Sequence, residues 1–182
     1  MMFRYTFIQR LLHWLIALIV TALLISGMLV WFLGFDGVTK LLGDENRDVL
    51  YEYHKTFGLI VLGLMAFRLF VRLERGKPPY QHEMNVLELL LSAVVQYLFY
   101  VLLFAMPILG WLATDALDYP VEFFSWNVPQ FIAKDKAMGE ALYEAHAWVG
   151  WGLVILLVLH VAGALKHWLF DRDGVMGRMR PY

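Results

Sequence analysis

Four of the six histidines, His13, His54, His146 and His160, sit in or at the edges of long apolar runs. His146 and His160 share one such run, fourteen residues apart. On an α-helix that spacing is a rotation of about −40° and a rise of about 21 Å, so the two rings lie on one face at opposite depths. A neutral imidazole offers a lone pair to a metal, and two imidazoles facing one another across a helix bundle suit the axial positions of a haem iron. A zinc site would gather its ligands at one depth. A proton relay would place Asp or Glu inside the apolar runs, and those runs contain none.

The elements that must carry these rings are membrane spans. The chain has 182 residues, 60% hydrophobic and 16% aromatic, with a mean hydropathy of +0.60. That balance is too apolar for a soluble domain of this size. Residues 11–35 carry no formal charge and are long enough to cross about 30 Å of hydrocarbon. No small-residue cleavage site follows them, so the run reads as a retained span and not as a secretory signal. Further spans are predicted over about 56–73, 89–114 and 145–165, with Pro107 and Gly110 as a candidate kink in the third. One domain over 1–182 is expected: an all-α, integral membrane four-helix bundle. Cysteine is absent, which excludes disulfides, thiolate metal centres and covalent c-type haem. The net charge of −1 gives no sign of a nucleic-acid partner.

Charge orients the bundle. Residues 1–10, 68–88 and 166–182 hold ten of the fifteen basic residues and five of the sixteen acids. Residues 36–55 and 115–144 hold five basic residues and eleven acids, a net −6. Positive loops stay inside, so both termini are expected in the cytoplasm. The first span then starts at the inner surface with His13, level with His160 at the inner end of the fourth. His54, at the outer start of the second span, is level with His146. Two same-depth pairs result, one near each surface. Phe123, Phe124, Trp126 and Phe131 in the outer connection read as an interfacial aromatic belt.

The remaining candidates cluster at the inner ends. Arg10, Arg68, Arg72 and Lys166 are placed to meet haem propionates, with positive-inside anchoring as the alternative role. Trp14, Arg10, Arg68 and His167 are candidates for a quinone site. His167 follows His160 by seven residues on nearly the same stripe and could compete for the inner iron. His82, beside Pro78 and Pro79, reads as a solvated loop residue.

The sequence resembles the bacterial cytochrome b561 family, within the wider group that includes the haem-bearing subunits of membrane hydrogenases and formate dehydrogenases. The likeness is carried by Arg10-Leu11-Leu12-His13-Trp14, the span from His54 to Arg72, Met106-Pro107-Ile108-Leu109-Gly110, and the pair His146 and His160. Lys166-His167-Trp168 with Arg172-Asp173 and Arg178-Met179 looks like the family's closing motif. The resemblance implies two haem b groups, held by His54 with His146 outside and His13 with His160 inside. It also implies exchange with ubiquinone or menaquinone, in the bacterial inner membrane. Small four-span members are similar to the superoxide oxidases, which pass electrons from superoxide outside to ubiquinone. An anionic donor gains rate from a positive entrance, which Lys55, Lys134 and Lys136 could form locally against the net −6. The acidic outer face would equally suit a basic periplasmic redox protein, with the chain as a cytochrome b anchor subunit linking such a partner to the quinone pool.

Overall fold

The computed structural model describes residues 3–80, 84–124 and 126–180, which leaves His82 outside the described residues. Four helices dominate, each long and apolar enough to cross a membrane: α1 (Phe7–Leu42), α2 (Asp44–Arg75), α3 (Val86–Ala116) and α4 (Lys136–Lys166). A π-helical turn over His167–Asp171 extends α4, and a short 3-10 turn follows at Met176–Met179.

Local chemistry sets the helix starts. Thr6 and Gln9 form a reciprocal capping box at the head of α1, each side chain satisfying the other's backbone N–H. Asn85 accepts from Leu87 N at 2.9 Å and Asp135 from Met138 N at 3.0 Å at the heads of α3 and α4. α3 continues through Pro107 to Ala116 as a single helix.

The outer connection expected over 36–55 is almost wholly helical. α1 bends at Gly34 (φ 65°), runs on to Leu42, and is separated from α2 only by Gly43 (φ 81°). Residues 7–33, before the bend, already make about 40 Å of helix, beyond about 30 Å of hydrocarbon. The projecting ends are tied by Arg47, which bonds Asp44 at 2.7 Å, Asp48 at 2.8 Å and Thr39 at 2.8 Å and lies 4.3 Å above the Phe35 ring. Acidic Asp44 and Glu45 suit the positive start of α2. A high charge content therefore marks helix here and not a loop.

α3 packs most extensively on α4 and α1 on α2. Ile16, Val20 and Leu24, spaced by four along α1, meet Val61 and Met65 of α2, Leu103 of α3 and Leu153 of α4 in the core. Outward-facing Leu18, Ile25, Phe70, Val158 and Leu159 stay exposed, as a lipid-solvated surface requires. Met65 is only 2% exposed. Met65→Ala is expected to cost about 2–5 kcal/mol by leaving a cavity between the four helices. Thermal unfolding in detergent should show the midpoint falling; an unchanged midpoint would mean that this core carries little of the stability.

The two chain ends meet at one end of the bundle. Tyr5 N donates to the Arg178 carbonyl at 3.2 Å, and the Arg180 carbonyl accepts from Arg4 at 3.1 Å and from Arg10 at 2.7 Å. At the opposite end, residues 117–124 and 126–135 fold against α2 at Lys55 and Thr56. They carry a two-stranded hairpin, β1 (Glu122–Phe123) with β2 (Trp126–Asn127). Lys55 Nζ donates to the Pro120 carbonyl at 2.8 Å and the Thr56 hydroxyl to the Glu122 carbonyl at 3.0 Å, holding this cover down beside His54. Of the aromatic belt, Trp126, Phe131 and Phe124 are largely exposed.

Candidate haem-binding site

His54 of α2 and His146 of α4 face one another with ring centroids 6.3 Å apart and planes at 66°. His13 of α1 and His160 of α4 do the same at the opposite end, 6.0 Å apart at 77°. An iron held between the rings of a pair would need about 2 Å to each nitrogen, which separations of this size allow. Both pairs are partly buried inside the bundle.

The outer rings are oriented by hydrogen bonds. His146 Nδ1 lies 2.9 Å from the carbonyl of Met106. A carbonyl only accepts, so Nδ1 carries the proton and Nε2 keeps its lone pair. The ring can lie this close to α3 because residue 110 is glycine: a Cβ there would stand 2.9 Å from Cε1 and 3.0 Å from Nδ1. His54 Nδ1 lies 2.7 Å from Ser26 Oγ, and that hydroxyl spends its own proton on the Leu23 carbonyl at 2.9 Å. Ser26 therefore accepts from His54 Nδ1–H, and His54 Nε2 is free as well. Each outer ring thus presents an unprotonated Nε2, the donor that haem iron takes, and the second partner fixes its orientation. The donor set and the ring separations fit haem.

The inner pair is set among rings. Trp14 stands edge-on to His13 at 5.4 Å and Phe99 to His160 at 5.5 Å. Among the described residues the ring nitrogens of His13 and His160 have no hydrogen-bond partner. Among the candidate cations, Arg68 is bonded to Tyr100 and to the carbonyl of Gln9, one helical turn before His13, at 3.4 Å. Arg72 is bonded to the Tyr5 hydroxyl at 3.3 Å. Arg10 and Trp14 reach the C-terminal segment instead, Trp14 Nε1 donating to the Met179 carbonyl at 2.7 Å. His167 is taken by carboxylates, with Nδ1 2.6 Å from Asp173 and 3.1 Å from Asp171. Lys166 bonds Asp171 and Glu88 at 2.6 and 2.7 Å.

Ser26 and Phe99 were not singled out from sequence, and Met106 and Gly110 entered only through the expected kink and the family likeness, not as residues of the site. Ser26 carries a weak signal, as a lone hydroxyl in an apolar run. The Met106 contact is made by the backbone and leaves no residue-type signature at all.

A profile of the prokaryotic cytochrome b561 family matches residues 4–182. The chain belongs to the prokaryotic cytochrome b561 family. It is 30% identical over 177 residues to cytochrome b561 homolog 2 of Escherichia coli (strain K12), covering 97% of this chain and 90% of that protein. Members of this family are multi-pass membrane electron-transfer proteins that bind haem b, in keeping with four apolar helices and a chain free of cysteine. Only non-covalent attachment is open to a cytochrome b561 of this composition.

Proposed function

We propose that this cytochrome b561 holds two haem b groups, one between His54 and His146 and one between His13 and His160, and carries electrons across the bacterial inner membrane between an outer donor and the quinone pool. The observation that carries the reading is the presence of two facing imidazole pairs at opposite ends of one bundle. Bound there, haem iron supplies one-electron exchange between its ferric and ferrous forms. The protein supplies axial nitrogens, depth and a water-poor interior. Both termini face the cytoplasm in this reading, as the positive inner segments require. Arg68 and Arg72 attract carboxylates at the inner end. Trp14, Arg10 and His167 border the same region, where ubiquinone or menaquinone exchanges electrons from the bilayer.

Superoxide is the most specific donor for a small four-span chain of this kind. The alternative is a cytochrome b anchor subunit docking a basic periplasmic redox protein, and one observation favours it. Lys134 is paired with Asp118 at 2.9 Å and Lys136 with Glu140 at 3.6 Å, which cancels most of the local positive entrance that an anion would use. The hydrogen bond from Lys134, with its charge, holds the Asp118 carboxyl below its ordinary range.

The purified chain is expected to show low-spin b-type bands and two haems per chain by extraction. Quinone reduction by superoxide above a haem-free control would identify the donor; its absence, with both haems present, would favour the anchor subunit. No haem would overturn the proposal.

A further inference from the structure

The two histidine pairs are built differently, and the differences all act in one direction. Both outer rings donate Nδ1–H to an oxygen, His54 to Ser26 at 2.7 Å and His146 to the Met106 carbonyl at 2.9 Å. Such a bond makes the ligating nitrogen more basic and stabilises the more positive, oxidised metal. The inner rings lack these partners among the described residues, and a half-buried cation, Arg68, bonds the Gln9 carbonyl at 3.4 Å, one helical turn from His13. A positive charge in a low-dielectric interior favours the less positive, reduced metal. Hydrogen bonding therefore lowers the outer reduction potential while the guanidinium raises the inner one.

We infer that Ser26, acting through His54, and Arg68, beside His13 and His160, are positioning and tuning residues that make electron flow downhill from the outer face to the inner face. The inference rests on the haem sites proposed above. With haem bound, an electron would pass from a group held by His54 and His146 to one held by His13 and His160, one being oxidised as the other is reduced, with no bond made or broken. Net inward flow then suits a donor outside and quinone reduction inside, and disfavours the reverse use as a quinol-driven exporter of electrons. Ser26 is the informative handle because the Met106 carbonyl belongs to the main chain.

The test is a spectroscopic redox titration of the haem-loaded protein, with the two midpoints assigned from single-site variants H146A and H160A. The outer midpoint is expected to lie below the inner one. S26A should raise the outer midpoint by about 59 mV, the single-electron equivalent of a tenfold change in equilibrium constant, and leave the inner one in place. S26T, which keeps the hydroxyl, should restore the lower value. R68Q should lower the inner midpoint and R68K should retain it. An outer midpoint above the inner one, or an S26A protein with both haems and an unmoved outer midpoint, overturns the inference. A chain that binds no haem at all would instead sink the underlying site assignment.

Discussion

His146→Ala is expected to halve the haem content and to abolish electron transfer across the bilayer, while the inner centre keeps its spectrum. His146 reaches its place from the outer half of α4, facing His54, and the inner pair lies about 21 Å along the same helix, beyond direct contact. His160→Ala should give the mirror result, with only the outer haem retained. The pair of variants separates ligand loss from general unfolding, because each leaves an intact site as an internal control. Haem extraction against protein, with reduced-minus-oxidised spectra, reads the outcome. Retention of both haems in H160A would point to a replacement ligand, and His167, now bonded to Asp173, would be the first to examine.

Gly110→Leu should remove the outer haem without touching a ligand. Even a methyl group at this position would press on His146 at 2.9 Å from Cε1, and the ring has little freedom to retreat because its Nδ1 is held by the Met106 carbonyl one turn away on α3. Overpacking of this kind typically costs about 1–3 kcal/mol, and here the displacement falls on the metal-binding ring itself. Gly110→Ala is expected to give a milder version, with the outer haem retained but its spectrum perturbed. Full haem loading and an unaltered spectrum in Gly110→Leu would show that α3 does not set the position of His146.

The paired depths of the histidines were legible in the sequence because a helix converts a fourteen-residue spacing into a fixed rotation and rise, and because charge asymmetry orders the ends of the spans. The four apolar helices were legible for the same reason: each apolar run is long enough to need nothing but its own backbone bonds. The helix ends were not. Residues 36–42 and 44–55 are polar enough to read as loop, yet Arg47 bonds Thr39, Asp44 and Asp48 and ties them together as helix. The partners of the rings were hidden for different reasons. A backbone carbonyl such as that of Met106 has no sequence signature, and the meaning of Gly110 depends on which ring lies against it. His167 shows the opposite limit: its helical stripe coincides with that of His160, but Asp171 and Asp173 close by in the chain claim its nitrogen.

The joining of the two chain ends also bears on the order in which the protein can be completed. His54 and His146 both precede the last part of α4 in the chain, so the residues of that site are made before those of the other are complete. The inner site waits for His160, and its clasp waits longer still, because Arg4, Arg10 and Trp14 grip carbonyls of residues 179 and 180. The first helix is thus made early and fastened last, and loss of residues 179 and 180 would leave that end of the bundle unfastened.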